Sequence, residues 1–143
     1  MRLLKINELG ADLAAVERAL SAGSFAETLR GPVREEVSAG IEENFANSSG
    51  PEGQAWPARK REGDGHPLLV KTGALKAAAT RGQAEATDRE LTLSVDLVYA
   101  RTHQQGRAGA KIPARPYMGA SERHLDRVGE IIAERGQQLL DEV

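Results

Sequence analysis

Chemistry in this chain would have to come from its ionisable side chains, and the histidines come first. His66, His103 and His124 are far apart in the sequence and match no metal-ligand spacing such as His-Glu-x-x-His. There is no cysteine, hence no thiolate site and no disulfide framework. His66 lies in Gly-Asp-Gly-His-Pro, a turn sequence that leaves an imidazole in solvent. His103 stands one helical turn after Tyr99 and next to Gln104, a setting for structural hydrogen bonding rather than catalysis. His124 falls on a charged helix face and reads as solvent-exposed. The paired carboxylates Glu35-Glu36 and Glu42-Glu43 share helix faces, Glu35 with Glu42 and Glu36 with Glu43. General acid–base work needs a carboxylate in a pocket that perturbs its pKa. Nothing places these four in a cleft, so a solvated face is the simpler reading.

Phosphate chemistry fares no better. Gly63-Asp64-Gly65 is not a P-loop, and Gly-x-x-x-x-Gly-Lys-Ser/Thr does not occur. Arg59-Lys60-Arg61 stands near Trp56, and basic groups with an aromatic can bind phosphates and stack on bases. The patch is short, and Glu62 and Asp64 dilute it. No catalytic, metal or cofactor-binding residue is assigned, and no cofactor is expected.

The elements that must position these groups can be read from hydrophobic spacing. Residues 1–7 form a short strand or a leading coil. Leu9, Leu13, Val16 and Leu20 make one helical stripe, with Asn7 as its cap. Val33, Val37, Ile41 and Phe45 make a second. Pro32 suits the first turn of that helix, where its missing N–H costs nothing. Phe25 and Leu29 belong to a preceding turn, with Gly31-Pro32 as a kink or break. Residues 46–67 hold three of the six prolines and show no period, the signature of a long flexible loop. Leu68-Leu69-Val70 and the Ala-rich stretch to Thr80 fit helix or strand. Leu91, Leu93, Val95 and Leu97 alternate with polar residues as a strand does, and 74–81 would pair with it antiparallel through a polar 82–89 turn. One or two helical turns over 98–105, a flexible turn over 106–111 and an extended Ile112–Tyr117 follow, the last because residues before proline avoid the α region. A closing amphipathic helix runs from about Ser121 to Leu140, with Leu125, Val128, Ile132 and Leu139 on one face.

The whole is one α+β domain over residues 1–143, a small antiparallel sheet packed with long amphipathic helices. Its core is lean. Hydrophobic residues make up 40% of the 143, yet 22 of them are alanine, and only five residues are aromatic. Either part of the chain stays out of the core, or neighbouring subunits complete it. The formal net charge of −2 does not announce a nucleic-acid or anionic-membrane partner. No apolar run approaches the ~20 residues of a membrane span, and the first residues do not read as a signal peptide. The expectation is a soluble chain made in a cytoplasm.

Several awkward fragments make sense as an ordered set. Phe45 precedes Pro51-Glu52-Gly53-Gln54-Ala55-Trp56; then come Leu69 and Thr72-Gly73-Ala74-Leu75. Tyr99-Ala100-x-x-His103-Gln104-x-Gly106 and Ile112-Pro113-Ala114-Arg115-Pro116-Tyr117-Met118-Gly119 complete it. Over roughly residues 30–140 this series resembles the phage virion morphogenesis family, the tail-completion proteins of Mu-like and P2-like phages and prophages. Gln105 departs from the pattern, which is commonly apolar there, and the first thirty residues match nothing in it.

The resemblance implies a tail-completion or neck-protein-like α+β fold and no enzymatic activity. It implies a structural part at the end of the tail or at the head–tail joint, with rings often of six subunits. The partners implied are copies of the chain itself and the tail tube or head–tail connector. Its place would be the host cytoplasm during assembly and then the virion; DNA would be met only when passing through an assembled channel. A tail terminator or other neck component of similar architecture is the near alternative. A small nucleic-acid-binding protein using Trp56 and residues 59–61 is the distant one. Assembly candidates are Trp56, Arg59, Lys60, Arg61, Arg115 and Tyr117. Trp56 either anchors a neighbour or folds back over its own domain. Arg115, held stiffly between two prolines, pairs with an acid of its own subunit or of the next. Gly73, Tyr99, His103, Gln104, Gly106, Pro113 and Pro116 are assigned to backbone geometry and to buttressing the joint between strand and final segment.

Overall fold

The computed structural model describes residues 2–5, 25–59, 67–70, 72–87 and 89–141. The stripe Leu9–Leu20 and the residues Lys60, Arg61 and His66 lie outside them. Within them the central element is a rod made of three pieces: helix α1 (Phe25–Thr28), a π-helical turn (Leu29–Val33) and helix α2 (Arg34–Asn47). Backbone angles stay α-like across both joints, at Thr28 (φ −63°, ψ −43°) and at Val33 (φ −67°, ψ −45°). Pro32 therefore does not start a new helix, as its position suggested; it sits inside the wide turn. Proline has no N–H for the carbonyl four residues back, and its ring crowds that carbonyl. The chain relieves this locally, and the Arg34 N–H reaches back five residues to the Leu29 carbonyl.

That wide turn also aligns the buried face. Phe25, Leu29, Val33, Val37, Ile41 and Phe45 are four apart and all but sealed from solvent. On a straight α-helix a step of four advances about 40° round the axis, so such a stripe would wander off the core. One π turn absorbs an extra residue and brings the stripe back. Helix α3 (Ala74–Arg81) and helix α5 (Glu122–Asp141) pack against α2, with α4 (Ala100–Gln105) between them in the chain. Helix α3 buries Leu75 and Ala79, and α5 buries Val128 and Ile132, with Leu125 and Ile131 partly covered.

The sheet has three antiparallel strands in the order β1-β3-β2: β1 (Arg2–Lys5), β2 (Gln83–Ala86) and β3 (Glu90–Ser94). Gln83 pairs with Ser94 and Ala86 with Leu91; on the other edge Arg2 pairs with Thr92 and Lys5 with Glu90. Leu91 and Leu93 turn into the core. Three expectations need correcting here. The stretch 74–81 is a helix rather than the strand's partner, and the partner is the polar Gln83–Ala86 that had been assigned to a turn. The strand also stops at Ser94, so Val95 and Leu97 lie beyond it.

The first part of the middle segment has a definite path. Ser48 closes α2 in the left-handed region, and the Ser49 N–H bonds to the Asn44 carbonyl. Gly50–Gly53 form a turn with Pro51 at its second position, Ser49 bridges Ala55, and the Trp56 N–H returns to the Ser48 carbonyl at 2.9 Å. Hydrogen bonding of this density brings Trp56 back onto the rod.

Candidate functional site

The strip Ala114–Gly119 organises the rest. It has no regular structure, so its backbone groups must find partners elsewhere. Helix α4 supplies one: Oε1 of Gln104 accepts the N–H groups of both Tyr117 and Met118, each at 3.0 Å. The Arg115 N–H bonds to the His103 carbonyl at 2.8 Å. From α2, the Asn44 amide donates to the carbonyls of Tyr117 and Gly119, both at 2.9 Å. The Trp56 indole N–H donates to the Pro116 carbonyl at 2.8 Å. Tyr117 is fully buried, its hydroxyl donates to the Ala100 carbonyl at 2.9 Å, and burial pushes its pKa up to about 12. Phe45 completes the cluster, its ring 5.6 Å from both Trp56 and Tyr117.

Two assembly candidates thus sit in the core. Trp56 is 5% exposed and Tyr117 wholly covered, so neither presents a face to a neighbour. The same burial removes Trp56 as a base-stacking platform. It folds back because Phe45 and the Pro116 carbonyl together satisfy both its ring and its N–H.

Among the described residues Arg115 pairs with two carbonyls rather than with an acid. Its Nε donates to the Pro57 carbonyl at 2.8 Å and Nη2 to the Ala58 carbonyl at 3.2 Å. It therefore ties the 48–59 segment to the strip while keeping its charge. Beside it opens a groove of about 430 Å³. Leu69, Thr72, Gly73 and Leu75 line one side, Tyr99 and His103 another, with Arg59 and Arg115 supplying the charge. Five of these eight, Arg59, Gly73, Tyr99, His103 and Arg115, are assembly or structural candidates from the sequence, and the other three belong to the ordered fragments. Gly73 (φ +79°) precedes α3 and Gly106 (φ +75°) follows α4, both in the region that favours glycine.

Two arginines set the electrostatics of this groove. Burial, and then the Arg115 charge, lower the pKa of His103, which holds the imidazole neutral. Burial, and then Arg59, lower that of Arg115. The Tyr99 ring meets His103 edge-on at 5.8 Å. His103 Nδ1 is buried and bonds to none of the described residues. Among the described residues no carboxylate or nucleophile orients His103, and no three His, Asp or Glu side chains are placed to hold a metal ion.

A second cluster escaped sequence reading. His124 is 9% exposed, not solvated as its helix face suggested. Its Nδ1 lies 2.9 Å from Glu36 Oε1 and its Nε2 2.6 Å from Glu43 Oε2. Arg123 also donates to both oxygens of Glu43. Two carboxylates accept on opposite edges of one ring only if both nitrogens carry protons, the imidazolium form. Burial works against that charge, but the bonds His124 donates to Glu43 and Glu36 outweigh it and raise the His124 pKa. The bond from His124, opposed by burial and aided by Arg123, lowers the pKa of Glu43. Gly40 permits the close approach of helices here: a Cβ on it would fall 2.9 Å from that of Ala120. The partners come from residues 36 and 43, so no local spacing could have revealed them.

No described helix is long and apolar enough to cross a membrane. No curated protein matches the chain significantly, and no solved structure does. The model of one family does match, over residues 10–135. That range takes in residues 10–30, where the sequence had shown no match to the family, and spans the rod, the strip and most of α5. The chain belongs to the phage virion morphogenesis family.

Proposed function

We propose that the chain completes the tail, or joins it to the head, by assembling side by side with copies of itself into a ring. The observation that carries this reading is the groove. Residues from separate parts of the family's sequence pattern, Gly73, Tyr99, His103 and Arg115, meet on one surface that has binding character and no catalytic arrangement among the described residues. A lean core suits a subunit whose remaining apolar surface is covered on assembly. The role is non-enzymatic on this reading, with the tail tube or connector as the other partner and the virion as destination.

The test is genetic and biophysical together. Deleting the coding sequence from its phage should leave finished heads and tails that fail to join, and supplying the chain in trans should restore joined particles. Light scattering of the purified chain should show mass rising with concentration. Normal virions from the deletion would end this reading.

A further inference from the structure

Among the described residues only two large hydrophobic side chains stand out in solvent, and they are consecutive: Val98, at 101% exposure, and Tyr99, at 42%. Scattered exposed apolar residues need no explanation, whereas contiguous exposed apolar surface is where contacts form, and here two such residues adjoin. Two residues earlier, Asp96 is exposed and bonds to none of the described residues. The loop thus offers one carboxylate and one bare aliphatic side chain. The groove beside it offers the complement: guanidinium charge at Arg115 and Arg59, and apolar walls at Leu69 and Leu75.

We propose that this groove receives the Asp96–Val98 loop of a second copy of the chain, and that the exchange is reciprocal. Asp96 meets the arginine end and Val98 the leucine walls. Reciprocity follows from position, because Tyr99 both lines the groove and adjoins Val98, so loop and groove share one face. A self-complementary face closes by a two-fold rotation. It also doubles the buried area, which matters because a stable contact needs about 800 Å² per partner and one loop supplies little. The inference rests on the self-association part of the proposed function; a two-fold contact closes on a pair, so it describes the free chain and is not the contact between neighbours in a ring.

Sedimentation equilibrium of the full chain, at low and high salt, tests it. Val98→Asp should weaken self-association at least tenfold, and so should Thr72→Glu, which adds an acid at the exposed rim of the groove. Val98 is fully exposed, so the Val98→Asp melt should match wild type; Thr72 Oγ1 accepts the Ala74 N–H at the start of α3, so Thr72→Glu should lower the melt slightly while leaving the chain folded. Asp96→Lys should weaken association alike, and adding it to Thr72→Glu should recover much of the loss. Wild-type association should fall with salt. If wild type associates and either Val98→Asp or Thr72→Glu leaves it unmoved, this contact is wrong while self-assembly stands. If wild type stays monomeric at every concentration, self-assembly itself falls, and this contact with it.

Discussion

Gln104 shows how much one side chain carries. A single amide oxygen holds two consecutive backbone N–H groups, those of Tyr117 and Met118, in a strip with no strand to pair with. Replacing it by leucine keeps the bulk and removes the acceptor. Leaving partly buried donors unsatisfied costs on the order of 2 kcal/mol. Gln104→Glu keeps the acceptor and loses only the long bond from Nε2 to the Met118 carbonyl, so it should cost less than half as much. Urea denaturation of the two variants measures the difference; equal losses would show that the acceptor is not what matters. Gly106 is the backbone counterpart. At φ +75° a Cβ would meet the Ala114 nitrogen at 2.7 Å and the Ile112 oxygen at 2.9 Å. Gly106→Ala therefore carries both strain and a clash, about 1–3 kcal/mol on the same assay. The sequence marked both residues as important but not why, because their partners lie six to fourteen residues on, across a turn.

At the scale of elements, the His124 clasp pins α5 to α2 and makes that joint depend on pH. The folded-state pKa of His124 is raised, so its contribution is complete below the unfolded value of 6.5 and is lost as pH rises through the folded one. Glu43 is lowered, so its contribution is complete above the unfolded value of 4.5 and is lost as pH falls through the folded one. The clasp is fully engaged between about pH 4.5 and 6.5. Melting temperature should decline from pH 6 towards pH 9 in wild type, and His124→Gln should flatten that decline. A parallel decline in both proteins would assign the effect to other groups. The helices themselves were readable from spacing. Val33, Val37, Ile41 and Phe45 gave α2, and an Ala-rich run gave the helical option for α3. The strand β2 was not, because Gln83-Ala84-Glu85-Ala86 has neither the β-branched nor the aromatic side chains that announce a strand. Its pairing with β3 holds it extended despite that composition. The π turn had left a trace, a stripe at steps of four that continues upstream to Leu29 and Phe25, longer than a straight helix can keep on one face.

For the whole molecule the question is what a lean core relies on. The composition leaves two options, a part of the chain outside the core or a domain completed by its neighbours, and Trp56 could anchor a neighbour or fold back. It folds back and closes the subunit's own interior, joining the 48–59 segment, the rod through Phe45 and the strip through Pro116. In a core with few large residues, each carries an unusual share of the burial. Trp56→Ala should cost about 3–5 kcal/mol, the cavity and the lost transfer energy together. Trp56→Phe, which keeps much of the packing but orphans the Pro116 carbonyl, should cost about 1–2 kcal/mol. In urea the midpoint should drop in that order at unchanged slope, since the surface exposed on unfolding hardly changes. The dependence should be the same in dilute protein as in concentrated protein, because the contacts being removed lie inside one chain. A Trp56→Ala loss that appears only at concentrations where copies associate would return the tryptophan to an interface. A concentration-independent loss assigns the tryptophan to the interior of its own subunit, so that a test of contact between copies has to start from exposed side chains such as Val98 and Tyr99.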